Sequence, residues 1–212
     1  MRLKQIKTGT TTIGIVCKDG LVLGADKRAS EGYLIASKNV EKIHKITNEM
    51  AVTYAGLVSD AQLLTKLIRA HLKLLEVRTE RKASVEEAAH LLASMLYENI
   101  RRMSMVPSIV EFILGGCDEN GFGLYILGID GSIIKYDDYT SSGSGSVVAI
   151  GVLESLYTKD ITVKDGIKLV IKALNAAIQR DMPTGNGIDI VTVTKEGVKK
   201  VFTREIDTTI KI

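Results

Sequence analysis

Hydrophobic and polar positions alternate, or form short apolar runs, throughout the first quarter of the chain. This spacing is typical of strands rather than helices. The runs that predict strands are 11–17, 21–25, 33–36, 42–46 and 50–55. The Asp-Gly pair at positions 19–20 favours a tight hairpin between the first two runs. We therefore expect the chain to begin with a sheet.

A helical period replaces this pattern after residue 58. Ser59, with Gln62 three residues later, is typical of a helix N-terminus and predicts a long amphipathic first helix. Ser84 and Glu87 repeat the capping pattern, and they predict a second helix that ends before Pro107. Two consecutive helices therefore follow the first strands.

The second half of the chain repeats this order of strands and helices. Its pattern predicts strands at 109–116, 122–129 and 132–136, a loop at 140–146, a short helix to about residue 157, a capped helix at 162–179 and a closing hairpin of 187–194 with 198–202. Paired helices between blocks of strands indicate antiparallel sheets, because parallel strands would alternate singly with helices. The predicted fold is one α+β domain of four layers, helix-sheet-sheet-helix, with mostly antiparallel sheets.

Composition narrows the functional classes. The 212 residues are 45% hydrophobic, which is enough for one large core, and 28 basic against 25 acidic residues give a net charge of +3. No basic run carries interleaved aromatic residues, so nucleic-acid binding has little support. Cys17 and Cys117 show neither metal-ligand nor disulfide spacing, so we expect no metal, and no cofactor motif is present.

Hydropathy also bears on location. No stretch approaches the ~20 apolar residues that a membrane span requires. Residues 1–9 lack the apolar segment of a secretory signal. The sequence therefore predicts a cytoplasmic protein without a membrane segment.

Thr10 is the most informative candidate for chemistry. Threonines at 10–12 follow Gly9, and strand formation alone explains such a β-branched run. If the bond between Gly9 and Thr10 is cut, however, Thr10 acquires a free α-amine beside its hydroxyl. That amine has an ordinary pKa of roughly 7.7 to 8.0, so it can take the proton of a hydroxyl nucleophile near neutral pH. Thr11 and Thr12 remain competing nucleophiles.

Asp26 and Lys42 are candidate partners for this hydroxyl. Asp26 ends the second predicted strand, where a carboxylate is commonly a solvated loop charge, and Lys42 begins a later strand, where its side chain can point outward or inward. Placed together beside Thr10, the ammonium would favour the ionised hydroxyl. The carboxylate would also raise the pKa of Lys42, which favours an electrostatic stabiliser over a neutral base. The sequence leaves both roles open.

Three glycine- or serine-rich segments lie where predicted elements meet. Gly56 follows a strand, either as a turn residue or as a backbone N–H donor to an oxyanion. Residues 141–146 are either a flexible linker or, since they are few and precede an apolar helix, a structured loop that presents hydroxyls. Residues 180–187 form an ordinary helix-to-strand turn or a second polar loop of the site.

Six short motifs occur in a fixed order along the chain. They are Gly-Thr-Thr-Thr at 9–12, Gly-Ala-Asp-Lys-Arg at 24–28, Lys-Asn-Val-Glu-Lys-Ile at 38–43, Tyr-Ala-Gly-Leu-Val-Ser-Asp-Ala-Gln at 54–62, Gly-Ser-Gly-Ser at 143–146 and Arg-Asp at 180–181 with a glycine-rich continuation. In this order and spacing the chain resembles the β subunits of the proteasome, most closely the archaeal ones. The resemblance covers the chain from Thr8 onward, and six motifs in register make it highly specific.

This resemblance implies an N-terminal-nucleophile hydrolase. The propeptide 1–9 would be removed autocatalytically between Gly9 and Thr10, leaving one catalytic domain at 10–212. The sixteen-residue interval from Thr10 to Asp26 fits Thr10 as the nucleophile. The implied catalytic residues are Thr10 as nucleophile, Asp26 and Lys42 as its activating pair, Gly56 as oxyanion donor, and Ser144, Asp181 and Thr184 as positioning residues. Thr184 stands where the family commonly has serine.

A substrate pocket for the residue before the cut is implied as well. Its members by resemblance are Ala29, Ser30, Val40, Tyr54 and Val58. None of them is charged, which favours apolar substrate side chains. Tyr54 is bulkier than the pocket of the family would suggest.

The remaining implications concern assembly. The resemblance implies a heptameric ring of β subunits stacked on a second ring, α subunits that cap both rings, and unfolded polypeptides delivered by an ATP-dependent unfoldase into an enclosed chamber. The leading hypothesis is a threonine endopeptidase. A catalytically silent structural β subunit is the alternative, against which the presence of Thr10, Asp26 and Lys42 argues. A peptide-binding module without chemistry is the third.

Overall fold

A computed structural model describes residues 9–105 and 108–207, and its elements follow the predicted order. Except for Gly9, the predicted propeptide lies outside the described residues. The elements are β1 (Thr12–Cys17), β2 (Gly20–Asp26), β3 (Ala29–Glu31), β4 (Leu34–Ser37), β5 (Ile43–Lys45), β6 (Met50–Gly56), α1 (Val58–Thr79), α2 (Val85–Arg101), β7 (Val110–Asp118), β8 (Gly121–Leu127), β9 (Ile133–Tyr136), β10 (Tyr139–Ser142), α3 (Ser146–Leu156), α4 (Val163–Arg180), β11 (Gly187–Thr194) and β12 (Gly197–Glu205).

Two five-stranded sheets form the centre of the fold. One has the strand order β10-β1-β2-β11-β12 and the other β5-β6-β7-β8-β9. Neighbouring strands in both sheets pair antiparallel. β3 and β4 make a separate antiparallel hairpin. The prediction of mostly antiparallel sheets is confirmed.

Three apolar layers hold the sheets and helices together. α1 and α2 cover one sheet, α3 and α4 cover the other, and the remaining faces of the two sheets pack on each other. Buried examples are Ile68, Leu92 and Phe112 beneath α1 and α2; Leu23, Ile113 and Leu124 between the sheets; and Ile15, Leu174 and Ile190 beneath α3 and α4. The predicted helix-sheet-sheet-helix sandwich is therefore confirmed.

The alternation of side chains along β1 explains how closely the two sheets approach. Ile13 and Ile15 belong to the layer beneath α3 and α4. Gly14 between them faces the other sheet, where a Cβ atom would lie 2.7 Å from Leu124 Cδ1. The sheets are therefore close together just beyond the start of β1.

Two of the three predicted helix caps are confirmed. Ser84 and Glu87 form the expected capping box, and the Thr162 side chain accepts a hydrogen bond from the backbone N–H of Asp165. The predicted cap at Ser59 is wrong, because the N-cap of α1 is Leu57, two residues earlier, and has no side-chain cap. The Leu57 N–H instead donates to the Ile109 carbonyl, 2.9 Å away, so contact with the segment before β7 sets the start of α1.

The predicted loop at 140–146 is wrong over its first residues, which form strand β10 at the edge of a sheet. Thr12 is opposite Ser142 and Ile15 is opposite Tyr139 in its pairing with β1. Ser141 Oγ also donates to the Thr12 carbonyl at 2.7 Å. These polar residues form a strand because hydrogen bonds to β1 hold them, and apolar spacing could not reveal that.

A helix that crosses a membrane must be both long and apolar. Within residues 9–105 and 108–207, no helix combines the length and apolar character that crossing a membrane would need.

Candidate active site

Thr10 lies two residues before the start of β1 and is buried, with only 3% of its surface exposed. Its Oγ1 accepts a hydrogen bond from Lys42 Nζ at 3.0 Å. The same hydroxyl donates to the carbonyl of Gly9 at 2.7 Å. The hydroxyl of this candidate nucleophile therefore contacts both a lysine nitrogen and the preceding peptide group.

Lys42 and Asp26 form a buried ion pair beside this hydroxyl. Lys42 Nζ lies 2.7 Å from Asp26 Oδ1, and the two side chains are 2% and 0% exposed. Asp26 is brought there because β1 and β2 pair antiparallel, so the end of β2 meets the beginning of β1. Lys42 comes from the other sheet, just before β5. Lys42 therefore contacts Thr10 directly, and Asp26 is connected to Thr10 through Lys42.

Backbone N–H groups hold the Asp26 carboxylate in place. Oδ1 accepts from the N–H of Thr11 at 2.9 Å. Oδ2 accepts from the N–H of Arg28 and from the N–H of Gly185, both at 3.0 Å. Since both oxygens have donors, the carboxylate can pair with Lys42 without leaving a buried lone pair unsatisfied.

Burial determines the direction in which the pKa of Lys42 is shifted. It lowers the pKa of the ammonium below its ordinary 10.5, and this effect is larger than the opposing attraction of Asp26. The sequence suggested a raised pKa because it revealed the carboxylate and not the degree of burial. The predicted upward effect of Asp26 on the pKa is present, but burial outweighs it.

Three further predicted residues form a hydroxyl–carboxylate cluster next to Thr10. Asp181 Oδ2 accepts from Ser144 Oγ at 2.6 Å and from Thr184 Oγ1 at 2.5 Å. Ser144 Oγ accepts from the backbone N–H of Thr10 at 3.4 Å. Thr184 Oγ1 is 2.7 Å from Thr11 Oγ1. Asp181 therefore connects, through two hydroxyls, to the nitrogen of Thr10 and to the next side chain.

Two glycines let the segment after β10 approach Thr10. A Cβ at Gly143, whose φ is +92°, would lie 2.1 Å from the Thr10 carbonyl oxygen. A Cβ at Gly145 would lie 2.0 Å from Thr11 Oγ1. The Gly145 N–H donates to the Thr10 carbonyl at 3.4 Å. Residues 143–146 are thus a fitted turn that leads into α3, rather than a linker.

Gly56 ends β6 with a φ of +133°, and a Cβ there would lie 2.2 Å from the Ile109 carbonyl oxygen. Its neighbour Ala55 lies 3.4 Å from where a Cβ of Gly143 would be, which brings the end of β6 close to the turn beside Thr10. In the contacts of the described residues, none joins Gly56 directly to Thr10. Its role as oxyanion donor stays a prediction.

The five predicted pocket residues differ in how they relate to the site. Ser30 Oγ accepts from the backbone N–H of Gly9 at 3.3 Å, so it contacts the residue before Thr10. Tyr54 is buried and belongs to the core beneath α1, and its ring stacks on His44 at 5.7 Å. Burial raises the pKa of Tyr54 to about 12. Ala29, Val40 and Val58 are partly buried, and their pocket role stays a prediction.

Sequence reasoning missed three residues that support the site. The Thr11 hydroxyl contacts Thr184, and the N–H groups of Arg28 and Gly185 bind Asp26. Arg28 also donates from Nη1 to the Met182 carbonyl at 2.5 Å, which fixes the segment between α4 and β11. Arg28 is only two residues from Asp26 along the chain, and this closeness was the available indication that its N–H could bind the carboxylate. The contribution of Gly185 depends on tertiary contact alone.

The amino-acid sequence matches a known protein family. A family model described as "Proteasome subunit" matches residues 6–193. The chain is 42% identical over 203 residues to the "Proteasome subunit beta" of Archaeoglobus profundus, covering 96% of this chain and 93% of the relative. It is 43% identical over 205 residues to that of Methanothermobacter thermautotrophicus, covering 97% and 95%. To "Proteasome subunit beta 2" of Pyrococcus abyssi it is 43% identical over 201 residues, covering 95% and 94%. The chain therefore belongs to the proteasome subunit family, as a β-type member.

Proposed function

We propose that this chain is a proteolytic subunit of a proteasome core particle, a threonine endopeptidase whose nucleophile is Thr10. The contact between Thr10 Oγ1 and Lys42 Nζ at 3.0 Å, with Asp26 2.7 Å beyond, carries the proposal. The neighbouring hydroxyls have other partners, since Thr11 Oγ1 contacts Thr184 and Thr12 Oγ1 donates to the Ser142 carbonyl at 3.4 Å. This difference supports Thr10 over its neighbours.

Activation is a self-cleavage of the bond between Gly9 and Thr10. Thr10 Oγ1 attacks the Gly9 carbonyl carbon, the C–N bond breaks, and the hydroxyl proton passes, by way of Lys42, to the departing nitrogen. The product is an ester between Gly9 and Thr10 Oγ1. Water then adds its hydroxide to the Gly9 carbonyl and returns a proton to Oγ1. Residues 1–9 leave with a terminal carboxylate, and Thr10 gains a free α-amine.

The same groups serve peptide substrates afterwards. Thr10 Oγ1 attacks the substrate carbonyl carbon while the α-amine or Lys42 takes the hydroxyl proton and passes it to the departing amine. The Gly56 N–H is the proposed donor to the oxyanion. Water hydrolyses the acyl-enzyme ester. The Ser144–Asp181–Thr184 cluster orients the Thr10 amine, a role supported by the bond between Thr10 N and Ser144 Oγ.

Family membership supports the proposed assembly. We infer a heptameric ring stacked on a second β ring and capped by α subunits, in the cytoplasm. Unfolded polypeptides reach the enclosed sites through the α ring, delivered by an ATP-dependent unfoldase. No cofactor takes part in the proposed steps.

Peptide hydrolysis by the particle assembled with its α subunits tests the proposal. Thr10→Ala removes the attacking oxygen and is expected to abolish hydrolysis of fluorogenic peptides and of an unfolded protein. Thr10→Ser keeps a hydroxyl and an amine at the same position and is expected to retain part of the activity. Equal hydrolysis by wild type and Thr10→Ala would contradict the proposal, and an inactive wild-type particle would indicate a silent subunit.

A further inference from the structure

Gly9, the residue before the proposed cleavage point, is buried and held on both sides. Its N–H donates to Ser30 Oγ at 3.3 Å, and its carbonyl accepts from Thr10 Oγ1 at 2.7 Å. The carbonyl under attack is thus fixed next to the attacking hydroxyl. What lies beside the Cα of Gly9 then determines which residue can occupy this position.

Pro183 fills the space where a side chain at position 9 would begin. A Cβ atom built on Gly9 would lie 1.6 Å from Pro183 Cβ, 2.6 Å from its Cγ and 2.9 Å from its Cα. Outside their own residue and its chain neighbours, real Cβ atoms essentially never come within 3.0 Å of a heavy atom, so the first distance is a direct overlap. Any residue other than glycine must displace Pro183 or leave the position beside Thr10.

The segment that carries Pro183 is anchored on both sides. Before it, the Met182 carbonyl accepts from Arg28 Nη1 at 2.5 Å. After it, the Thr184 hydroxyl binds Asp181 Oδ2 at 2.5 Å, and the Gly185 N–H binds Asp26 Oδ2 at 3.0 Å. The pyrrolidine ring also fixes the φ of Pro183 itself. Retreat of Pro183 would therefore disturb the groups that hold Asp26 and the Thr10 amine.

We propose that Pro183 is the residue that restricts position 9 to glycine, and that its contact with Gly9 holds the scissile carbonyl beside Thr10 Oγ1. This inference rests on the proposed self-cleavage. Pro183 is a positioning residue, since it acts through Gly9 and takes no part in proton transfer. A side chain at position 9 moves the carbonyl away from Thr10 Oγ1, and displacements of about 1 Å cost roughly 100-fold in rate.

The test follows self-cleavage by intact mass over time during assembly with the α subunits. Gly9→Ala is expected to slow cleavage roughly 100-fold relative to wild type. Gly9→Ala combined with Pro183→Gly removes the overlapping Cβ and Cγ, so that of the three close atoms only the backbone Cα, 2.9 Å away, remains. This pair is expected to cleave within about tenfold of wild type. Gly9→Ala with Pro183→Ala, the matched control, keeps the overlapping Cβ and is expected to stay slow.

Each outcome decides a separate question. If the wild type itself does not cleave, the proposed function fails. If the wild type cleaves and Gly9→Ala keeps pace with it, Pro183 does not restrict position 9. No recovery with glycine or with alanine at position 183 also overturns the inference, since backbone conformation at position 9 would then be the restriction. Equal recovery with both overturns it as well, since the overlap with Pro183 Cβ, on which the inference depends, would then have no effect.

A second measurement covers the case in which the paired variants fail to assemble. In a Thr10→Ala background the bond stays intact, so the precursor with Gly9 can be compared with the precursor carrying Gly9→Ala. The overlap with Pro183 is expected to lower the Tm of the precursor that carries Gly9→Ala measurably. Equal Tm values for the two precursors would overturn the contact between positions 9 and 183.

Discussion

A lysine side chain buried as deeply as that of Lys42 needs partners for its nitrogen, because an unpaired buried charge is costly. Asp26 Oδ1 and Thr10 Oγ1 supply them at 2.7 and 3.0 Å. One nitrogen thus contacts both the proposed nucleophile and the carboxylate that holds it. A change at Lys42 therefore acts on chemistry and on folding, and the two effects need separate measurements.

Lys42→Ala is expected to slow self-cleavage at least ~100-fold, the usual contribution of a positioned proton-transfer group. Intact mass of the chain assembled with α subunits measures cleavage, and the size of the particle reports folding. Lys42→Arg is the matched variant, since arginine keeps the charge and does not release its proton. It is expected to be equally slow. Cleavage of Lys42→Ala at the wild-type rate would remove Lys42 from the mechanism.

The lowered pKa of Lys42 gives the pH dependence of stability a definite sign. The folded chain releases this proton at lower pH than the unfolded chain, whose lysine titrates near the ordinary 10.5. Between the two pKa values the unfolded state binds more protons, so the contribution of Lys42 to the free energy of unfolding rises with pH across that window. We expect a Thr10→Ala precursor to show this rise and the same precursor with Lys42→Met to lack it; identical slopes would refute the assigned direction.

At the scale of elements, α1 and α2 show what local sequence determines and what it does not. Both helices carry a serine followed three residues later by an acid or amide, yet only Ser84 caps its helix. The capping box at α2 is complete within four residues, so the local sequence was sufficient to predict where this helix begins. The start of α1 depends on the bond of Leu57 to Ile109, a tertiary contact that local spacing does not show. The same reasoning explains why polar β10 was missed.

The two serines give a matched pair of substitutions. Ser84→Ala is expected to reduce the free energy of unfolding by about 1 kcal/mol, because it removes the acceptor for the Glu87 N–H. Ser59→Ala lies in the first turn of α1, where no side-chain cap exists, and is expected to change stability by less than about 0.5 kcal/mol. Urea denaturation of the Thr10→Ala precursor measures both. Equal losses would contradict the assignment of the caps.

At the scale of the whole molecule, the site is assembled from both sheets. Thr10 leads into β1 and Asp26 ends β2 of one sheet, whereas Lys42 precedes β5 of the other sheet. The apolar layer between the sheets, which includes Ile113 and Leu124, therefore sets the distance between Lys42 and its partners. Stability of this layer and geometry of the site are coupled.

A large-to-small substitution in this layer is expected to lower the free energy of unfolding. Ile113→Ala removes a fully buried side chain between the sheets and is expected to cost about 2 to 5 kcal/mol of unfolding free energy. Ile134→Ala, on a side chain that is 51% exposed, is the control and is expected to cost less than about 1 kcal/mol. Denaturation of the Thr10→Ala precursor provides both values. Similar costs for the two positions would contradict the two-sheet core.

The sequence predicted the layer order, because apolar periods and paired helices are properties of the whole chain. It also pointed to Thr10, Asp26 and Lys42, because side chains with chemistry stand at the ends of strands. It did not reveal the N–H of Gly185 on Asp26 or the packing of Pro183 on Gly9. These are contacts of backbone atoms and of a nonreactive ring between distant segments, and residue type alone carries no indication of them.

The proposed function requires that the hydroxyl of Thr10 cuts the bond before it and that Thr10 then becomes the first residue of the working chain. N-terminal sequencing of the β chain from the particle assembled with α subunits is the sharpest test of this step. We expect a sequence that starts at Thr10 in the wild type and at the original N-terminus in Thr10→Ala. A wild-type chain that keeps residues 1–9, or one that starts at Thr11, would contradict it.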